Sequence, residues 1–361
     1  MPLCLFVATI FFSSSDRGPT LKLLLTVFLL TMLAAPRWTV QTSGVNVRLR
    51  GVSAVSERVA WASGAGSTVL RTVDGGETWQ KLHVTDDALD FRDIDAVDAQ
   101  TAYALSIGNG PASRIYKTVD AGKTWKLQFK NEDEKAFLDA MSFWDAKHGI
   151  VFGDSVDKQF YILTTADGGS TWSRVPPANL PPAQPNEGAF AASGTNIAVI
   201  GKSHAWIGTG AAAKSRVLHT SNGGRTWQVT DTPLASGPST GIFSIAFRDA
   251  KHGVIAGGDY TKEAEAMNNL AITNDGGATW KLVKGLSGFR SVVAYVPAMK
   301  TPALIALGPS GADYSLDDGL TWTPLTGPGF DTFSFAPGKP SGWAAGANGR
   351  IGHLIFEQPN P

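Results

Sequence analysis

An all-β ring of seven four-stranded blades is predicted by three observations: an octapeptide written six times, strand chemistry between the copies, and an N-terminal segment matching the one strand the last copy lacks. The copies are TVDGGETW (Thr72 to Trp79), TVDAGKTW (Thr118 to Trp125), TADGGSTW (Thr165 to Trp172), TSNGGRTW (Thr220 to Trp227), TNDGGATW (Thr273 to Trp280) and SLDDGLTW (Ser315 to Trp322). Their closing tryptophans recur at intervals of 42 to 55 residues, near the roughly 40 to 50 of a propeller blade. Between them, runs such as RVAWASG, STVLRTV, HGIVFGD, FYILTTA and HGVIAGG combine Val, Ile, Thr and aromatics with Gly and Asp punctuation, which is strand chemistry. No stretch sustains a helical period.

Each unit reads outward from the channel as strands A, B and C, then the octapeptide box, then strand D starting at the box tryptophan. The box is a turn: Asp and Thr side chains bond backbone N–H groups, Gly takes positive φ, and Trp buries a large face. Asp74, Asp120, Asp167, Asp275 and Asp317 are therefore structural, and Asn222 fills the same role in the fourth copy. Catalysis would not require a carboxylate at one turn five times over. Trp61, Trp206 and Trp343 share a strand B slot, and Trp38 sits where a box tryptophan would, with no box before it. The C-terminus supplies A, B and C of a seventh unit and stops, so Trp38 to Thr42 is expected as its outer strand. Closing the ring in this way removes a free sheet edge.

Residues 1–35 form a different text. Lys22, the apolar run Leu23 to Leu33 and Ala34-Ala35 have the layout of a cleaved leader, with the propeller spanning 36–361. Export to the periplasm or medium is the expectation. The single cysteine, Cys4, lies in that leader, leaving no thiol chemistry for the mature chain. With 31 basic and 31 acidic residues there is no electrostatic case for nucleic acid. The charged fraction of 17% and the 40 glycines suit a turn-rich β protein.

The ordered series LRGVSAV, DFRDIDAV, FLDAMSFW, EGAFAASGTN, GFRSV, GADYSLDDGLTW and GANGRIGHL resembles the photosystem II stability/assembly factor family of Asp-box (BNR-repeat) propellers over essentially the whole mature chain. The resemblance implies a seven-bladed, non-enzymatic, extracytoplasmic protein that helps a membrane complex assemble. Sialidases, xyloglucanases and sortilin-type receptors carry similar boxes.

Aligning the strand A starts places Arg50, Arg92, Asp139, Glu187, Phe243, Arg290 and Asp331 two residues before the first apolar strand position, and these are expected to converge at the mouth opposite the boxes. Loops between B and C add Asp154, Lys214, Arg216, Asp259, Tyr260 and Lys262. Converging charges between low-dielectric walls suit a polar or anionic ligand or a partner protein, or else neutralise one another as channel-rim furniture. The binding set is thus Arg50, Arg92, Asp139, Asp154, Glu187, Arg216, Asp259, Arg290 and Asp331. The alternative is a sialidase-like or other glycoside hydrolase, with Arg50, Arg92 and Arg290 clamping a carboxylate, or with Asp139 and Asp154 as the carboxylate pair. A FRIP-like arginine motif before the first box is missing, and seven units do not match a six-bladed sialidase ring. His148 and His252 repeat within DAKHG as turn residues, and no HExxH, calcium loop, dinucleotide fingerprint in a βαβ unit or GxSxG elbow occurs, so neither metal nor cofactor is expected. The Pro-rich stretch Pro176 to Glu187 is expected as a semi-rigid exposed loop on the mouth face. The chain is expected to act as a monomeric binding or assembly module whose partner is a membrane-associated protein complex or a polar ligand.

Overall fold

The computed structural model describes residues 36–356, and the leader assigned above lies outside them. Seven four-stranded antiparallel sheets form the ring, with inner strands Leu49–Ala54, Asp90–Ala96, Leu138–Phe143, Ile197–Ile200, Thr240–Phe247, Val292–Tyr295 and Thr332–Phe335 in blades one to seven. Closure follows the expected route. Arg37–Thr42 pairs antiparallel with Arg350–Ile355, from Arg37 opposite Ile355 to Thr42 opposite Arg350, so both ends of the described span build blade seven.

Neighbouring blades are joined at the hub and at the boxes. At the hub, polar side chains of one inner strand accept N–H groups of the next. Ser53 accepts from Ala96 at 3.0 Å, Asp93 from Met141 at 2.7 Å, Asp95 from Phe143 at 3.1 Å, Ser244 from Val293 at 2.9 Å and Ser334 from Ala54 at 3.1 Å. These bonds explain why hydroxyls and carboxylates occupy a buried hub, where unpaired backbone N–H groups are costly. Burial in turn raises Asp95 to about 6. Further out, Trp61, Trp206 and Trp343 are wholly buried. The same slot touches the next blade's box, since Trp206 Nε1 donates to Gly276 O and Tyr103 Oη to Gly168 O, at 2.8 and 2.7 Å.

The box turn is uniform. In blade two, Thr118 Oγ1 bonds Asp120 Oδ1 at 2.9 Å, the Thr124 N–H donates to Oδ1 at 2.9 Å, and Thr124 Oγ1 donates to Oδ2 at 2.6 Å. Asn222 keeps the carbonyl contacts and reverses the last bond, its Nδ2 donating to Thr226 Oγ1 at 2.7 Å. Hydrogen bonds from Thr124 hold Asp120 down at about 2, against an ordinary 3.8. A depressed carboxylate lends stability that is complete above its unfolded value and withdrawn as pH falls through the folded one. Asp120→Asn is therefore expected to lower the thermal midpoint modestly at pH 7, with the gap from wild type closing between about pH 4 and pH 2. Equal midpoints at neutral pH would remove the charge from the turn's energetics.

Candidate functional site

The inner strands carry the site because they are bulged where they enter the ring. Arg50, Arg92, Asp139 and Phe243 are each the extra residue of a bulge, lying between Leu49/Gly51, Phe91/Asp93, Leu138/Ala140 and Ile242/Ser244. A bulge breaks the two-residue alternation and re-aims a side chain that would otherwise pack between sheets. Asp331 repeats the pattern. It donates its N–H to Ala345 O, while the next residue, Thr332, pairs with Ala345.

Blades four and six depart from the alignment drawn from sequence. Blade four's inner strand starts at Ile197, ten residues beyond Glu187, because the intervening stretch is not strand. Residues 188–196 instead cross the channel. Ala189 N donates to Asp154 Oδ1 in blade three (3.2 Å), and Ala191 O accepts from Arg92 Nη1 in blade two (3.2 Å). Ser193 Oγ donates to Ser291 O in blade six (2.8 Å), and Ser193 O accepts from Thr332 Oγ1 in blade seven (2.9 Å). A segment bonded to blades on opposite sides of the hub closes the channel. Gly194 turns it at φ +74, where a Cβ would run into Asp93 Oδ1.

Glu187 consequently lies beside the ring, accepting from Arg216 Nε at 2.9 Å and from its Nη2, with the two side chains 0% and 10% exposed. In blade six the aligned residue is off by one: Ser291 holds the bulge-like position, its N–H reaching Leu307 O while Val292 pairs with Leu307. Arg290 turns into the wall, where Nη2 meets Asp313 Oδ2 at 2.7 Å with the two side chains 1% and 0% exposed. Asp259 holds the Thr261 N–H and hydroxyl at a loop start, at 2.9 and 2.7 Å, outside the cavity lining. The Pro-rich stretch is likewise tied down, Asn179 O accepting from Trp227 N at 3.0 Å, with Leu180 packed into the core.

Above the plug the mouth is a cavity of about 490 Å³, lined by Arg50, Arg92, Asp139, Asp154 and Asp331 from the sequence-derived set. Residues missed by that alignment also line it, among them Arg48, Phe137, Phe190, Glu263 and Phe289. Arg48 and Asp331 form a two-pronged pair at 2.9 and 2.6 Å, which raises the guanidinium above its ordinary value. Arg92 bonds Asp90 at 2.8 Å. Arg50 differs from both: among the described residues no hydrogen-bond or ion-pair partner meets its guanidinium. Burial, then the like charges of Arg92 and Arg48, bring it down to about 10, so it remains a cation at neutral pH.

The same cavity also carries acidic groups. Asp139 is 1% exposed, and its Oδ2 has no hydrogen-bond partner. Burial and the neighbouring Asp154 raise it, and burial lifts Asp154 to about 6. The two stand side by side on adjacent strands of blade three, where Leu138 pairs with Gly153, and do not face each other across a cleft as a glycosidase pair does. Nor does the three-arginine clamp assemble, since Arg290 is sealed in its own blade. No group of three or more His, Cys, Asp or Glu among the described residues is placed to hold a metal ion.

Fold and site together define a class: a seven-bladed propeller with a plugged channel, opening on one face into a bipolar cavity. Several solved structures are similar to the chain. YCF48 bound to D1 peptide superposes with a TM-score of 0.63 at 15% identity, over 89% of this chain and 97% of that one. YCF48 from Cyanidioschyzon merolae gives 0.60 at 19%, over 89% and 99%. The GH74 xyloglucanase from Xanthomonas campestris gives 0.58 at 15%, over 87% of this chain but only 53% of the enzyme. At such identities the likeness is one of fold. No protein-family model and no curated protein matches the sequence.

Proposed function

We propose that the chain is an exported, non-enzymatic binding or assembly module that receives a peptide segment of a membrane-associated protein partner in the mouth cavity. The single observation that carries this reading is Arg50. A charged guanidinium set in a cavity without a hydrogen-bond partner is an incomplete site, and a carboxylate completes it bidentately. Flanking arginines at positions 48 and 92, each already holding a carboxylate, focus positive potential on the same spot. The likeness to a propeller whose structure holds a D1 peptide supports a peptide as the occupant. The leader-like residues 1–35 support export.

The test is to capture partners from host membranes with the tagged protein, then titrate peptides covering the captured protein's exposed segments. Arg50→Ala is expected to weaken the best peptide tenfold or more, Arg50→Lys to restore little, and added salt to weaken wild-type binding. Equal affinity for wild type and Arg50→Ala would remove the cavity's basic side from recognition. Turnover of a glycan by the wild-type protein would replace the binding role with a hydrolase.

A further inference from the structure

The acidic side of the cavity is walled by aromatic rings that the arginine argument leaves unused. Phe190, on the plug, stacks on Phe243 with centroids 4.0 Å apart and 6° between planes. Tyr260 stands at 67° and 66° to these two rings, each 6.1 Å away. Phe289 meets Phe243 edge to face at 4.6 Å. All four line the cavity together with Asp139 and Asp154, and the Ala189 N–H that binds Asp154 lies one residue from Phe190. These rings form one corner of the lining, in which Phe243 is only 2% exposed, so Phe190 and Tyr260 offer the ring surface that a ligand can reach. Beside that corner stand a carboxylate oxygen with no partner and a second carboxylate. A buried acceptor left unmatched is expensive, and native proteins rarely keep one without a use.

We propose that this corner is a cation subsite, taking the ammonium or guanidinium of a lysine or arginine side chain of the bound peptide, with Asp139 and Asp154 receiving its N–H groups and the rings of Phe190, Phe243 and Tyr260 packing around its charge and stem. A bare anion is disfavoured there by like charge, and an apolar side chain would leave Asp139 Oδ2 unmatched. The inference rests on the peptide-binding reading and adds a second anchor of opposite sign: the peptide offers a carboxylate to Arg50 and a basic side chain to the corner.

The test uses simple probes on the full chain. N-acetyl-lysine amide and N-acetyl-arginine amide are titrated against protein carrying fluorinated phenylalanine, with N-acetyl-norleucine amide as the uncharged control. Saturable shifts of the Phe190 and Phe243 resonances are expected for the two cations and not for norleucine. Asp139→Asn is expected to weaken the response tenfold or more, whereas Arg50→Ala, which removes a like charge from the cavity, should not weaken it. If Asp139→Asn does not fold, Tyr260→Ala, at a residue 49% exposed, is expected to weaken the cations alone. Equal shifts from norleucine, or cation binding indifferent to both acidic and aromatic variants, would overturn the subsite. Tighter binding of tetramethylammonium than of the acetylated amino acids would overturn the peptide side chain in favour of a small quaternary cation. Loss of Arg50-dependent peptide binding with these cation shifts intact would sink the peptide reading and leave the corner standing. Arg50-dependent peptide binding without cation shifts would do the reverse.

Discussion

Removing residues 37–42 is expected to destabilise the propeller by several kcal/mol and to make it prone to self-association. The deletion strips the outer strand from blade seven, exposing the edge of Arg350–Ile355 along the six residue pairs it now makes. It also removes Trp38, whose ring lies 4.8 Å from Phe330 and 6.2 Å from Phe333. A wholly buried Trp truncated to Ala costs about 3 to 5 kcal/mol, and half-buried Trp38 should cost less. The strand further reaches blade one, since Gln41 donates to Gly75 O at 2.8 Å and accepts from Trp79 Nε1 at 3.3 Å. Trp38→Ala therefore reports the aromatic part alone and the deletion the whole latch. Denaturant unfolding of both against wild type is the measurement. A deletion variant with an unchanged midpoint would show that six closed blades suffice.

Breaking the ion pair inside blade six is expected to cost about 3 to 5 kcal/mol, because each single truncation strands a charge in the interior. Arg290 bonds Asp313 through Nε at 2.8 Å and Nη2 at 2.7 Å, and Ser287 Oγ adds a 2.9 Å bond to Asp313 Oδ1. Arg290→Ala and Asp313→Ala should both lower stability steeply. Arg290→Met combined with Asp313→Leu should recover most of the loss, since apolar replacement of both partners removes the stranded charge. Peptide affinity, measured well below the variants' unfolding temperature, should stay at the wild-type value. An Arg290→Ala protein of normal stability that has lost binding would put Arg290 back in the site.

The ring and its closure were legible because repetition is self-checking. Six boxes fix the frame of the first six blades, and Trp38 is visible as the box tryptophan, without its box, of the seventh. The mouth was legible only where that frame holds through the inner strand. Arg50, Arg92, Asp139 and Asp331 were found because each bulge falls two residues before an apolar start. In blade six the bulge-like position falls one residue before Val292, so spacing selected Arg290 over Ser291. In blade four, EGAFAASGTN carries the small and apolar residues of a strand start, yet they pack across the channel; nothing local separates the two uses. Partners decided the rest. Whether an arginine is spent internally, like Arg290 and Arg216, or left unmet, like Arg50, depends on a carboxylate elsewhere in the fold, which no spacing along one strand reveals.

Propellers diversify by gaining and losing whole blades, since each sheet contacts only its neighbours and one more copy merely widens the ring. Residues 188–196 withdraw that freedom here. Ser193 reaches Ser291 and Thr332 at 2.8 and 2.9 Å while Ala191 reaches Arg92 at 3.2 Å, so the segment measures the diameter of the hub from within. An eighth copy would pull those contacts apart, and a lost one would leave no room for the span. The repeats read as interchangeable along the sequence, but this segment ties the ring to seven blades and gives one unit a position that no other can take.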